Sequence, residues 1–253
     1  MSASDRYQQL LKTYDLLVAN WLSFQLAATC HGIPAGLEMM DIGSGNAAIA
    51  KRIFRLLGAS KLHLVDPALE PCRAELPIIQ RHRRSILDED FVAEFRSKID
   101  LLTCVRTFHE FDDPILAARN LLEIFNHDGK GLLVVFDVSE GGWQSKRPLA
   151  PEQAEHHRHD IERVRANRLF KNEDIVAFWE RALLGVAQRS EIVCPQEQDG
   201  EVACFYCILV VGHEVPEEIT LDEAFDSLCN RANDTLESLT RLREQIDNEQ
   251  KER

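Results

Sequence analysis

Residues 41 to 45 read Asp-Ile-Gly-Ser-Gly and close a short apolar run that begins at Leu37. The run predicts a buried strand, and the glycines permit a sharp turn into a helix and a close approach of ligand to backbone. Asp66 follows a second predicted strand, where one carboxylate can accept hydrogen bonds from both hydroxyls of a ribose. The residue types and their spacing therefore indicate a nucleotide-type pocket.

The segment between these two strands has the pattern of a capped helix. Asn46 is predicted to cap a helix that runs from residue 47 to residue 57, and Gly58 to take the left-handed position that ends it. Residues 61 to 65 then form the second strand. Strand, glycine turn, helix and strand together make the unit that places Asp66 opposite the glycines.

The glycine motif by itself leaves two cofactors open. Residues 43 to 48, Gly-Ser-Gly-Asn-Ala-Ala, also satisfy the pattern of nicotinamide-binding folds, which use an acid after the second strand in the same way. Asp41 stands two residues before the first glycine, and the segment from Asp100 to Pro114 opens a buried strand with an aspartate and closes it with His109 and an acidic-proline turn. In these features residues 35 to 212 resemble the class I, Rossmann-like S-adenosylmethionine-dependent methyltransferase superfamily.

The resemblance implies S-adenosylmethionine as cofactor, with Asp41 helping to organise its amino-acid end and Asp66 holding its ribose. The implied cofactor-binding residues are Asp41, Gly43, Ser44, Gly45, Asp66, Ser85, Ile86 and Cys104. At the end of the third strand the superfamily often carries an aspartate that binds the adenine amino group. Ser85 stands at that place here, and Asp88, further along, is a second candidate for this contact.

His109 is the candidate catalytic residue, because it would lie at the carboxyl end of the fourth strand and its near-neutral pKa suits a general base. The alternative is that His109 only hydrogen-bonds the turn at Asp112 and Asp113. Further residues that ring the same place and could orient an acceptor are Cys104, Arg106, Glu110 and Asp137. Methyl transfer does not require a set of catalytic side chains, because alignment of the reactants supplies much of the rate.

The order of apolar segments predicts an α/β fold: a doubly wound, mostly parallel seven-stranded sheet closed by a C-terminal antiparallel hairpin. The hairpin is assigned to residues 185–194 and 202–211, and it is a feature that nicotinamide folds usually lack. Helical additions are expected at both ends, as a cap over residues 1–34 and an extension over 213–253. Residues 35–212 form the cofactor domain, in which 139–171 is a candidate substrate lid.

Two helical segments carry open alternatives. In the cap, Tyr14 and Trp21 are either lid residues or plain core. In the extension, apolar residues repeat at a 3-4 spacing that needs a partner surface, either this domain or a second copy joined through residues 219–250. The residues with this spacing are Leu221, Phe225, Leu228, Ala232, Leu239, Leu242 and Ile246.

Composition narrows the class of protein. The 253 residues carry 29 basic and 42 acidic side chains, a formal charge of −13, which disfavours nucleic acid as a partner. No leader or apolar run of membrane-spanning length is evident, and the 7 cysteines lie in apolar segments, so we expect a cytoplasmic protein. No metal site is expected, because Cys204 and Cys207 lie on one predicted strand facing opposite sides, and the histidines at 156, 157 and 159 fit an exposed helix.

These observations leave three functions in view. The first is S-adenosylmethionine-dependent methyl transfer to a small molecule at an O, N or C atom. The second is a nicotinamide-dependent oxidoreductase. The third is a catalytically inactive S-adenosylmethionine-binding scaffold that acts through its C-terminal helix.

Overall fold

The computed structural model describes residues 15–23, 25–26, 36–70, 76–125, 131–144, 151–184, 189–193 and 205–212. The chain divides into two compact units, and among the described residues the first ends at Arg83 and the second begins at Arg84. Tyr14, Cys204, which was predicted to lie on a strand, and the apolar repeat of residues 219–250 lie outside the described residues.

The first unit contains three parallel strands: β1 (Glu38–Ile42), β2 (Lys61–Val65) and β3 (Ile79–His82). Helix α2 (Ala48–Leu57) connects β1 to β2 and buries one apolar face, as its 3-4 spacing predicts. Gly58 ends the helix in the left-handed conformation, with φ of 64°, which confirms the predicted role of this glycine. The apolar stripe thus fixes the helix against its unit and brings the carboxyl ends of β1 and β2 side by side.

Residues 15–23 and 25–26 of the predicted N-terminal cap are helical and are called α1 here. Val18, Ala19 and Leu22 are buried, whereas the Trp21 side chain is exposed. Asn20 accepts a hydrogen bond from Nε of Arg52 on α2 at 3.2 Å. Trp21 is therefore not a plain core residue.

A chain of polar side chains crosses the three strands of the first unit. His63 of β2 is buried, and its two ring nitrogens contact Glu38 of β1 and, at 2.9 Å, His82 of β3. Partial burial raises the pKa of Glu38, but the hydrogen bonds from His63 and Lys61 lower it more, so that the pKa lies below its usual value. The buried imidazole is thereby satisfied at both nitrogens.

Within its described residues, the second unit has four strands and five helices, together with a short 3-10 turn at Phe108–Glu110. The strands are β4 (Leu101–Val105), β5 (Leu132–Val138), β6 (Arg189–Val193) and β7 (Phe205–Val211). The helices are α3 (Glu89–Phe95), α4 (Pro114–Ile124), α5 (Glu140–Gln144), α6 (Pro151–Ala166) and α7 (Asn172–Ala182).

Strand pairing in the second unit is mixed. Strands β4 and β5 are parallel, β7 runs antiparallel to β5, and β6 runs antiparallel to β7. The predicted C-terminal antiparallel hairpin is therefore confirmed, as is the α/β class with a mostly parallel sheet. Residues 132–137 of β5 are all buried, as expected for a strand covered on both faces.

Asparagines lie at the starts of two helices. Asn172 is the first residue of α7, whose cap is Lys171, and the Asn172 side chain accepts a hydrogen bond from the Glu140 backbone N–H at 3.4 Å. Asn46 is not the cap of α2, as predicted, but lies one residue before it, because the cap is Ala47 in the left-handed conformation. Its side chain accepts from the Ala48 N–H at 2.9 Å, so it still satisfies an open donor of the first turn.

Among the described residues, no helix is both long enough and apolar enough to cross a membrane.

Candidate active site

The loop after β1 requires a backbone that only glycine adopts without strain. Gly43 and Gly45 have φ of 72° and 48°, in the left-handed region. The N–H of Gly43 donates to the Val65 carbonyl at 2.7 Å, and that of Ser44 to the same oxygen at 3.2 Å. The turn after β1 is thus tied to the last residue of β2.

Ser44 completes this tie with its side chain. Its hydroxyl donates to the Asp41 carbonyl at 2.7 Å and accepts from the Val65 N–H at 3.0 Å, and the residue is buried. The Asp41 side chain is buried as well. The Ser44 hydroxyl therefore holds the shape of the loop.

Asp66 is oriented by the same loop. Its Oδ2 accepts from the Gly45 backbone N–H at 3.0 Å, and its Oδ1 accepts from the Ala68 N–H at 2.7 Å. A carboxylate has about four acceptor positions, so each oxygen keeps capacity for a hydroxyl donor. A Cβ built on Gly45 would meet nothing within 4 Å, so open space lies beside the glycine. This carboxylate and the open space beside Gly45 fit the ribose of a nucleoside cofactor.

The end of the third strand differs from the sequence-based expectation. Strand β3 ends at His82, before Ser85, which was predicted to stand at the end of this strand. Ser85 lies in the second unit, where its backbone N–H donates to Asp88 Oδ2 at 3.3 Å. Asp88 also accepts from Nε of Arg84 at 2.8 Å. Ile86 is buried, and its carbonyl accepts from Asn120 at 2.8 Å. Ser85 and Ile86 remain proposed adenine contacts.

In the second unit, His109 lies in the 3-10 turn after β4 and contacts Asp137, near the end of β5. Its Nδ1 is 2.7 Å from Asp137 Oδ1, and its backbone N–H donates to Asp137 Oδ2 at 2.7 Å. Asp113, by contrast, caps α4 by accepting from the Leu116 N–H at 2.9 Å. Residue spacing alone did not predict the pairing of His109 with Asp137, although both residues were singled out.

The pairing fixes the chemistry of the imidazole. Asp137 is fully buried, and an ionised carboxylate only accepts, so Nδ1 carries the proton and Nε2 holds the lone pair. Burial lowers the pKa of His109, but the charge and the hydrogen bond of Asp137, with smaller contributions from Glu110 and Asp160, raise it above its usual value. His109 can therefore take a proton at Nε2, and Asp137 stabilises the imidazolium that results.

Helices α5 and α6, from the predicted lid segment, supply the surroundings of His109. The Trp143 ring of α5 meets the His109 ring edge to face at a centroid distance of 5.1 Å. Arg163 of α6 donates to the Glu110 carbonyl at 3.0 Å and lies 3.5 Å from an Asp112 carboxylate oxygen. Helix α6 thus packs against the turn that carries His109.

Cys104 and Arg106, two residues that were predicted to lie near His109, are at the end of β4 and directly after it. Cys104 is a buried residue of β4 with a reduced thiol. Arg106 adopts a left-handed φ of 59°, and its N–H donates to the Phe136 carbonyl at 2.7 Å. A non-glycine residue in this region stores backbone strain, a feature that is common in loops at functional sites.

A separate groove of about 770 Å³ lies between α4 and α7. Neither His109 nor Asp137 lines it. Within the described ranges, no group of three or more His, Cys, Asp or Glu residues is arranged to hold a metal ion. His156 and His159 of α6 are instead exposed and lie near acidic neighbours on the same helix.

No family model matches the chain, and no curated protein matches it in sequence. Solved structures do match. The plantazolicin methyltransferase BpumL, crystallised with a monoazolic desmethylPZN analog and SAH, is 14% identical with a TM-score of 0.61, covering 83% of this chain and 89% of its own. The plantazolicin methyltransferase BamL, crystallised with a triazolic desmethylPZN analog and SAH, is 11% identical with a TM-score of 0.59, covering 83% and 90%. The chain therefore has the fold of the S-adenosylmethionine-dependent methyltransferases.

Replacing Ser44 by Ala should lower the free energy of unfolding by about 1 to 3 kcal/mol, because the buried Val65 N–H loses its acceptor. Chemical denaturation measures the change. Ser60→Ala is the matched control: Ser60 is an exposed residue whose hydroxyl donates to the Gly36 carbonyl at 2.8 Å and, at 3.2 Å, to the partly buried Leu37 carbonyl, and water can replace the hydroxyl there. Equal losses in the two variants would contradict the bracing role of Ser44.

Proposed function

We propose that this protein transfers a methyl group from S-adenosylmethionine to a small-molecule acceptor. The observation that carries the proposal is the bond between the Gly45 amide and the Asp66 carboxylate, beside open space at the end of β1. The fold supports it, and so does the presence of SAH in the two methyltransferases named above. The antiparallel hairpin of β6 and β7 argues against the nicotinamide alternative.

The residues of the first unit would hold the cofactor. Asp66 would accept the ribose hydroxyls, while Gly43 and Gly45 allow the cofactor to approach the backbone. Asp41 would organise the amino-acid end, and Ser44 would keep the loop in place. In the second unit, the proposed cofactor contacts are Ser85, Ile86 and Cys104.

When bound, S-adenosylmethionine supplies a methyl group whose bond to sulfur breaks with the electron pair staying on sulfur. His109 would receive the acceptor's proton at Nε2, which frees the lone pair that forms the new bond. Asp137 would keep the imidazole in the correct tautomer and stabilise it once charged. His109 is thus the proposed catalytic residue and Asp137 its positioning residue.

We infer further properties from the same features. The three parallel strands of the first unit and the mixed four of the second support a single seven-stranded sheet. The reduced buried thiols of Cys104 and Cys207 are typical of a cytoplasmic protein. The formal charge of −13 disfavours nucleic acid as acceptor.

S-adenosylhomocysteine should bind the protein and raise its melting temperature, because it engages only the folded loop. Asp66→Ala should weaken this binding by about 1 to 3 kcal/mol, the scale for a lost charged hydrogen bond. Glu70→Ala is the control, since this neighbouring carboxylate is exposed. Calorimetry that shows binding of NAD and none of S-adenosylhomocysteine would overturn the assignment.

His109→Ala should lower turnover by about a hundredfold or more and leave cofactor affinity nearly unchanged. Turnover of the wild type should fall as pH falls through the raised pKa of His109, since only the neutral imidazole accepts a proton. Asp137→Asn should move this midpoint to lower pH, because it removes the charge that raises the pKa. His159→Ala, on the exposed face of α6, is the control. Wild-type turnover in His109→Ala would remove this residue from the mechanism.

We also propose that the chain forms a homodimer through residues 219–250, on the strength of the apolar 3-4 repeat. The full-length protein should sediment as a dimer. Leu228→Glu together with Leu239→Glu should shift it to a monomer that still binds S-adenosylhomocysteine. A wild-type protein that sediments as a monomer would refute this assembly.

A further inference from the structure

The reactive nitrogen of His109 faces a carboxylate that it does not bind. Nε2 of His109 and Oε1 of Glu110 are 3.9 Å apart, too far for a direct hydrogen bond. The Glu110 side chain is half exposed, so an entering molecule can reach it. One nitrogen that carries two or more N–H groups can donate to both atoms at once. A hydroxyl group has only one proton and can donate to one of them.

Asp160 of α6 adds a second acceptor that needs a donor. Its side chain is 6% exposed, and Oδ1 has no hydrogen-bond partner. A terminal nitrogen of Arg163 lies 3.7 Å from Oδ1, and His156 Nε2 lies 3.5 Å from the other oxygen, Oδ2, so neither cation makes a good hydrogen bond to Oδ1. A buried acceptor without a donor is costly, so this oxygen favours the entry of a group that carries N–H.

The charged groups around His109 favour the binding of a positively charged ligand. Three carboxylates, those of Asp137, Glu110 and Asp160, act on the imidazole. Burial is the largest cause that raises the pKa of Glu110, and repulsion from Asp160 and Asp137 raises it further, against the opposing effects of His109 and His156. Added positive charge relieves this repulsion.

We propose that the methyl acceptor is a small amine, which Glu110 and Asp160 bind as its ammonium form and His109 deprotonates. This proposal rests on the proposed methyltransferase function and names its substrate class. The ammonium loses one proton to Nε2 of His109, and the freed lone pair would form the bond to the methyl carbon while the bond from that carbon to sulfur breaks and leaves its electron pair on sulfur. The product nitrogen keeps a positive charge, so the two carboxylates stabilise it after transfer as well. The Trp143 ring lies edge to face against the imidazole, and its own Nε1–H is buried without an acceptor.

The same arrangement disfavours other acceptors. A hydroxyl that gives its only proton to His109 leaves an oxygen facing Glu110 with no donor between them, and a carboxylate acceptor meets like charge. Neither acceptor supplies the donor that Asp160 lacks. Selection of an amine therefore comes from the two carboxylates, whereas His109 alone would serve either kind of acceptor.

Binding tests this proposal apart from turnover. Protein saturated with S-adenosylhomocysteine is titrated with two matched pairs, benzylamine against benzyl alcohol and butylamine against butanol, and ligand-observed NMR gives the Kd. Each amine should bind about tenfold or more tightly than its alcohol, as a charge-assisted hydrogen bond requires. Equal binding of amines and alcohols, or no binding of either amine, would overturn the proposal.

Variants assign the selectivity to the two carboxylates. Glu110→Gln and Asp160→Asn keep the side-chain shapes and should each raise the Kd of benzylamine about tenfold, without changing that of benzyl alcohol. Glu173→Gln, an exposed carboxylate of α7, is the control with the same change in net charge. Melting temperatures show whether each variant folds. Unchanged amine affinity in both folded variants would refute the roles of Glu110 and Asp160.

Analysis of the methylated products tests the amine proposal separately from the proposed methyltransferase function. Incubation with S-adenosylmethionine and each pair of compounds, read by mass spectrometry, should give N-methyl and no O-methyl product. O-methyl product alone would support methyl transfer and contradict the amine. Failure of S-adenosylhomocysteine to bind would instead refute the proposed function itself.

Discussion

The turn between β1 and α2 depends on backbone conformations that few residues adopt. Gly43 and Gly45 have positive φ, and so does Ala47, which has a side chain. The turn keeps this shape because the Val65 carbonyl accepts hydrogen bonds from two N–H groups of the turn, and the Ser44 hydroxyl accepts one from the Val65 N–H. The loop and the end of β2 therefore form one hydrogen-bonded element, which orients the Asp66 carboxylate through the Gly45 amide.

In the second unit, hydrogen bonds to the Asp137 carboxylate of β5 hold the turn after β4 in a similar way. The buried Asp137 carboxylate would be costly without donors. It accepts from the His109 backbone, from the His109 ring and, at 2.7 Å, from the Val138 N–H. Satisfying this carboxylate also sets the orientation of the imidazole, so the same contacts that stabilise the turn orient the proposed base. Phe108, which precedes His109 in the turn, packs against Trp179 of α7 and anchors the turn to that helix.

Features encoded by neighbouring residues were predictable from the sequence. The glycine turn, the apolar stripe of α2, the buried run of β5 and the closing hairpin all follow from local patterns. The contacts that decide side-chain chemistry join residues far apart in the chain. His109 and Asp137 are 28 positions apart, and Asn172 pairs with Glu140 over 32.

The contacts of His63 with Glu38 and His82 depend on strand pairing in the same way. Periodicity gives the face of a strand, but not which polar group lies opposite. The sequence therefore singles out residues of the candidate site but does not give their hydrogen-bond partners.

Backbone amide spectra of protein labelled with ¹⁵N-glycine test most directly whether the loop after β1 holds the cofactor. On addition of saturating S-adenosylhomocysteine, the amide resonances of Gly43 and Gly45 should shift strongly. Those of Gly36 and Gly58, which lie at the other end of β1 and at the end of α2, should stay in place and serve as internal controls. An unshifted Gly45 resonance at saturation would contradict the assignment of this loop as the cofactor site.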